Sequence, residues 1–152
     1  MTRVLLVCLG NICRSPAAEA ILRDKSEKAG IDLEIDSAGT GRWHVGKPPD
    51  ARMIKAAGKR GYDLKTLRGR QVDTGDFYTF DLILPMDTSN MADLEDLAPP
   101  DATAKLRPFL SYGVGGDVPD PYHGGPSGFE TVLDMIEHAS DGLVKALASR
   151  RA

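Results

Sequence analysis

The sequence predicts an α/β fold, a three-layer sandwich in which a four-stranded parallel sheet carries helices on both faces. Three observations support this. Short aliphatic runs alternate with segments of helical periodicity along the chain, the pattern of a parallel sheet built with right-handed crossovers. The first run, residues 4–7, is apolar without interruption, as befits a strand buried on both faces. The last segment carries an apolar stripe at i, i+3, i+4, i+7.

Taken in order, Val4-Leu5-Leu6-Val7 is the first strand, and a turn-rich loop follows it. Ser15-Pro16 reads as the opening of a helix, a capping hydroxyl with proline at the first helical position; Ala17, Ala18, Ile21 and Leu22 then recur at helical spacing, and Gly30 is the stop. Residues 33–37 alternate and form a strand nearer the edge. Residues 38–50 hold three Gly, two Pro and the only Trp, and so form a loop. Asp50 caps a helix over 51–60 that ends at Gly61. Leu82-Ile83-Leu84 is a buried strand, and Asp87 or Thr88 caps the helix containing Met91, Leu94 and Leu97. Residues 104–109 are the expected fourth strand. The stretch 110–126, with five Gly and three Pro, is long for a compact domain, and loops of that kind tend to be functional. Ser127-Gly128-Phe129-Glu130 reads as a capping box, with Phe129, Val132, Leu133, Ile136, Leu143, Val144 and Leu147 as the apolar stripe behind it.

With 152 residues, 41% hydrophobic and 27% charged, the chain is expected to be a single domain over residues 1–152. A net charge of −3 advertises neither nucleic acid nor an anionic membrane as partner, so any anion must be gripped locally. The apolar run after Arg3 is too short for a signal peptide, and no stretch reaches the roughly 18 apolar residues of a membrane span, so a cytoplasmic protein is expected. Two cysteines make neither a disulfide scaffold nor a four-ligand zinc site.

In parallel sheets ligands sit at the carboxyl ends of the strands, where strand order reverses, which directs attention to the loop after the first strand. It reads Cys8-Leu9-Gly10-Asn11-Ile12-Cys13-Arg14-Ser15. Successive backbone N–H groups and the positive end of the following helix suit a tetrahedral oxyanion. Gly10 permits close approach, Asn11 tolerates the left-handed conformation, and Arg14 supplies a planar fork for two phosphate oxygens. A thiol at Cys8 facing that potential is expected to ionise and act as a nucleophile, with Ser15 donating to it. A lone cysteine at a strand end is usually a small buried hydrophobe; here the whole spacing, Cys-x5-Arg-Ser, argues for chemistry. Cys13 alone stays ambiguous, as filler or as a reversible disulfide partner for Cys8.

This loop resembles the signature of the low-molecular-weight protein tyrosine phosphatases. The resemblance extends through Asp36-Ser37-Ala38-Gly39-Thr40, Trp43-His44-Val45-Gly46, Arg70-Gln71-Val72, Asp76-Phe77, Phe80-Asp81, Met86-Asp87 and Asp120-Pro121-Tyr122, nearly the whole chain. It implies metal-independent hydrolysis of phosphotyrosine through a phosphocysteine, without a cofactor, on phosphotyrosine-containing proteins supplied by tyrosine kinases; a monomer is expected. The leaving oxygen needs a proton donor, which the residues alone do not choose among 22 acidic side chains. Pro119-Asp120-Pro121 is one rigid candidate, and the resemblance assigns the acid to Asp120. It makes Trp43 and Tyr122 the pocket walls. Two departures stand out: His123 where many relatives have a second Tyr, which bears on peptide preference, and Leu67 where many have a His, which puts the bracing of Asn11 in question.

Other readings are weaker. The spacing of His44, His123, His138 and the cysteines matches no metal template, and a metal on Cys8 would quench the nucleophile. Gly39-Thr40-Gly41 begins a dinucleotide-like pattern that His44 breaks. A thioredoxin-coupled arsenate reductase would need further cysteines, and this chain has none after Cys13. A protein-arginine phosphatase resembles this family but carries Thr where Ile12 stands. A phosphate-binding module needs neither a nucleophile nor an acid, and a dithiol oxidoreductase would have C-x-x-C.

Overall fold

The structure is a computed structural model describing residues 1–122 and 124–151, the side chains of 150 and 151 excepted. Its sheet has four strands: β1 (Thr2–Cys8), β2 (Leu33–Gly39), β3 (Leu82–Pro85) and β4 (Lys105–Leu106). All pairings are parallel, in the order β2-β1-β3-β4. The chain leaves β1 toward β2 on one side and later returns to β3 on the other, so the carboxyl end of β1 is the point where strand order reverses.

Pleating divides β1 between two cores. Val4, Leu6 and Cys8 join the cluster formed with α1 (Arg14–Lys28), α2 (Ala51–Lys59) and α5 (Pro126–Arg151). Leu5 and Val7 face the smaller cluster containing Phe77 of α3 (Asp76–Thr79) and Leu94 of α4 (Thr88–Leu97). Both faces of β1 are therefore dry, which its unbroken apolar run requires. The predicted stripe of α5 is buried along its whole length.

The caps at Asp50 and Asp87 are found as expected. Asp50 Oδ1 accepts from Arg52 N and Asp87 Oδ1 from Asn90 N. Gly30 and Gly61 take the positive φ, 70° and 92°, that lets the chain turn away after α1 and α2.

Three expectations are corrected, and one element is new. Ser15 does not cap α1: the helix starts at Arg14, Cys13 is the capping residue without a side-chain bond, and the Ser15 hydroxyl turns to Cys8 instead. The expected strand over 104–109 shrinks to two residues, because Pro108 has no N–H for the ladder and the chain turns into a 3₁₀ helix over Phe109–Tyr112. The capping box at Ser127 is absent, since α5 begins at Pro126 and Ser127 lies inside it, its carbonyl accepting from Thr131 Oγ1. Helix α3, four residues long, is too short to leave a periodic signal.

Candidate active site

The loop between β1 and α1 wraps around the sulfur of Cys8. Asn11 sits at φ 56°, the only described non-glycine residue with positive φ, and this turns its N–H onto Cys8 Sγ at 3.3 Å. Ser15 Oγ lies 3.0 Å from the same sulfur. Asn11 Nδ2 donates to that hydroxyl at 2.8 Å, so the Ser15 oxygen is used as an acceptor and its proton is left to donate. Its nearer acceptor is Cys8 Sγ, since the Ala38 carbonyl is 3.5 Å away.

A network outside the loop fixes Asn11. Its Nδ2 also donates to Ser37 Oγ, and Ser37 donates to Glu19 Oε1. Its Oδ1 accepts from the Arg70 backbone N–H at 3.0 Å, which settles which way the amide points. Arg70 is in turn held by Asp36 and Asp76. The doubt raised by Leu67 is thereby answered: Leu67 packs against the core, and a backbone donor braces Asn11. Gly39 is required beside this turn, because a Cβ there would stand 2.7 Å from the Leu9 carbonyl oxygen.

Arg14, at the first position of α1, is only 2% exposed. Its Nη1 donates to Asp87 Oδ2 at 2.6 Å and to the Val118 carbonyl at 3.1 Å, and Nη2 is 3.6 Å from Asp120 Oδ2. Burial opposes the guanidinium charge, but the neighbouring Cys8, Asp87 and Asp120 more than offset it, and the pKa of Arg14 rises. Asp87 thus both caps α4 and aims the Arg14 guanidinium.

Above the sulfur lies a pocket of about 210 Å³. Cys8, Cys13 and Arg14 line it together with Leu9, Gly10 and Ile12; Trp43, His44, Asp120 and Tyr122 complete its lining. Trp43 is 65% exposed, and its ring lies so close on Gly41 that a Cβ there would meet Cζ3 at 1.9 Å. It is a wall of the pocket, not a pin into the core. Asp120 is held over the mouth by its own turn, Oδ1 accepting from Tyr122 N at 3.1 Å. Burial, then the charges of Asp50, Cys8 and Asp120, push the Cys13 thiol far up, so at neutral pH it carries its proton. His123 lies outside the described residues. Among the described residues no group of three or more His, Cys, Asp or Glu is placed to hold a metal ion, and no helix is long and apolar enough to cross a membrane.

The model of the low molecular weight phosphotyrosine protein phosphatase family matches residues 3–152. The chain belongs to that family. Over 152 aligned residues it is 43% identical to the low molecular weight phosphotyrosine protein phosphatase of Schizosaccharomyces pombe, covering 96% of this chain and 97% of the other. The structure superposes on a protein tyrosine phosphatase from Entamoeba histolytica with a TM-score of 0.94 at 37% identity, covering 100% of both chains. It also superposes on the Drosophila arginine phosphatase with a TM-score of 0.90 at 36% identity, covering 97% of this chain and 98% of that one.

Within this phosphatase fold, sequence reasoning placed Cys8, Asn11, Arg14, Ser15, Trp43, Asp120 and Tyr122 at one site, and they meet there. It read Asp87 only as a helix cap and missed its bond to Arg14, and it did not find the roles of Ser37, Glu19 and Arg70. The motifs containing Ser37 and Arg70 were visible as likeness to the family, without a chemical reason attached. His44, given no place in the pocket by the sequence, is a pocket wall whose ring would meet a Cβ on Gly10 at 3.1 Å.

Proposed function

We propose that the protein hydrolyses phosphotyrosine in proteins through a phosphocysteine on Cys8. The observation that carries this reading is the sulfur itself. It sits at the centre of an anion-binding loop, bonded by Asn11 N–H and the Ser15 hydroxyl, with Arg14 beside it and Asp120 across the mouth.

Arg14 and the loop N–H groups hold three phosphate oxygens, and Cys8 Sγ attacks phosphorus in line with the ester oxygen. The S–P bond forms as the P–O bond breaks, and Asp120 gives its proton to the departing phenolate. Asp120, now a carboxylate, takes a proton from water; the water oxygen attacks phosphorus, the S–P bond breaks, and the sulfur leaves as thiolate onto the Ser15 hydroxyl. Trp43 and Tyr122 flank the substrate ring. The same reading takes the enzyme as a cytoplasmic monomer acting on the products of tyrosine kinases, and light scattering of the purified chain tests the monomer.

Similarity to the Drosophila arginine phosphatase supports a second reading, phosphoarginine as substrate. Ile12, apolar and nine-tenths buried in the loop, favours the aromatic ester over a guanidinium. Phosphate release from a phosphotyrosine peptide and a phosphoarginine peptide, in EDTA, separates the two. Release that favours phosphotyrosine, resists EDTA and disappears in Cys8→Ser, while Cys8→Ser still binds vanadate or phosphate, is the expected result. Preference for phosphoarginine would keep the nucleophile and replace the substrate. Turnover retained in Cys8→Ser would end the phosphocysteine reading.

A further inference from the structure

Asp120 stands in a Gly- and Pro-rich loop with little regular structure, so something must hold its carboxyl at a fixed height above the sulfur. On the near side the loop is tied at Val118, whose N–H donates to the Met86 carbonyl and whose carbonyl accepts from Arg14. On the far side the tie is Arg52. This residue lies in the first turn of α2, where a cation works against the helix dipole, and its side chain is 48% exposed, so neither helix stability nor burial accounts for it.

Its contacts do. Nε and Nη2 form a fork onto Asp50, at 3.0 Å to Oδ1 and 2.8 Å to Oδ2. Nη2 also donates to the Tyr122 carbonyl at 2.9 Å. The guanidinium carbon lies 5.4 Å from the centroid of the Tyr122 ring and 4.8 Å from that of Phe129, within cation–π range of both. Asp50 is itself fixed to the phosphate loop, its N–H donating to the Ile12 carbonyl at 2.8 Å. An unbroken path therefore runs from Ile12 through Asp50 and Arg52 to Tyr122, whose N–H holds Asp120 Oδ1.

We propose that Arg52 is a positioning residue for the proton-transfer step, clamping the loop that carries Asp120 and Tyr122 at a fixed distance from the phosphate loop. The proposal rests on the reading of Asp120 as general acid. Arg52 does not line the pocket over Cys8; it acts through the Tyr122 peptide. Lysine keeps the charge but cannot make the fork onto Asp50, the bond to Tyr122 and the stacking together.

The test is kcat/KM for a series of aryl phosphates of increasing leaving-group pKa, for wild type, Arg52→Ala, Arg52→Lys, Asp120→Ala and the double variant Arg52→Ala/Asp120→Ala. General acids contribute about 10²- to 10⁴-fold, so a displaced one is expected to cost about tenfold on phosphotyrosine peptide and less than about twofold on the most acidic phenol. Arg52→Lys should behave like Arg52→Ala at an unchanged Tm. In the Asp120→Ala background, Arg52→Ala should add nothing to the leaving-group slope. A steep slope in Asp120→Ala with an unchanged slope in both Arg52 variants would overturn the clamp and leave the acid in place. A flat slope in Asp120→Ala would overturn the acid, and the clamp with it.

Discussion

Asn11 carries more of the site than its size suggests. Its backbone serves the sulfur because φ is 56°, and its amide serves Arg70, Ser15 and Ser37. Asn11→Ala loses both functions: a Cβ residue without a local polar side chain pays about 1–2 kcal/mol in the left-handed region, and three partners, two of them buried, lose a bond. Asn11→Gly removes the strain and keeps the amide loss. We expect kcat/KM to fall by about 10² in both, as for a catalytic group displaced by an ångström, with Tm lowered more in the alanine variant. Recovery of activity in Asn11→Gly would show that only the turn matters. The two cysteines part at the same scale. Burial keeps the Cys13 thiol protonated far above neutral pH, so iodoacetamide at pH 7 is expected to leave Cys13 unmodified in Cys8→Ser. Mass spectrometry reads this directly, and labelling at Cys13 would contradict it.

At the scale of elements, Asp87 joins a helix to the site. One oxygen caps α4 and the other holds Arg14. Asparagine is as good a cap as aspartate but leaves a buried guanidinium without its counter-charge. Asp87→Asn is therefore expected to weaken phosphate inhibition about tenfold or more and to lower Tm through the lost ion pair alone, whereas Asp87→Ala costs a further ~1 kcal/mol of stability from the cap. Inhibition by inorganic phosphate and thermal unfolding, measured on both variants, check the split; equal phosphate affinity in Asp87→Asn and wild type would remove Asp87 from the aiming of Arg14.

The same scale shows what the sequence could and could not disclose. The strand over 4–7, the caps at 50 and 87 and the stripe of α5 are local patterns, and they were legible. The fourth strand was overdrawn because Pro108, which has no N–H for the ladder, was not allowed to end it, and α3 was invisible at four residues. The loop after β1 was legible because one contiguous segment contains the proposed nucleophile, the turn and the fork. Its supports were not: Ser37 meets Asn11 only because β2 pairs with β1 in a register that sets Leu6 beside Ser37 and Cys8 beside Gly39, and register is not a local property.

The whole molecule is closed by the packing of α5 across α1 and α2, and that joint carries its own pH dependence. Arg60, just past the end of α2, pairs with Glu130, Asp134 and Glu137 of α5. The Tyr62 hydroxyl donates to Glu137 Oε2 at 2.7 Å. Burial, and then the bond to and charge of Glu137, raise the Tyr62 pKa well above its ordinary 10.0. Since the folded state holds this proton more tightly than the unfolded chain, its contribution is complete below pH 10 and declines as pH rises toward the folded pKa. While the unfolded phenol is ionised and the folded one is not, the unfolded chain binds fewer protons, and stability falls with pH by up to about 1.4 kcal/mol per unit. Tyr62→Phe removes this slope. Urea unfolding from pH 9 to pH 11 is thus expected to show wild type losing stability faster than Tyr62→Phe above pH 10, with the two parallel below it. Because the joint lies on the sheet face behind the phosphate loop and shares no residue with the pocket, kcat/KM at pH 7 should be the same in both proteins. Parallel curves through pH 11 would mean that Tyr62 ionises equally in both states and that the joint holds through packing and the Arg60 pairs alone.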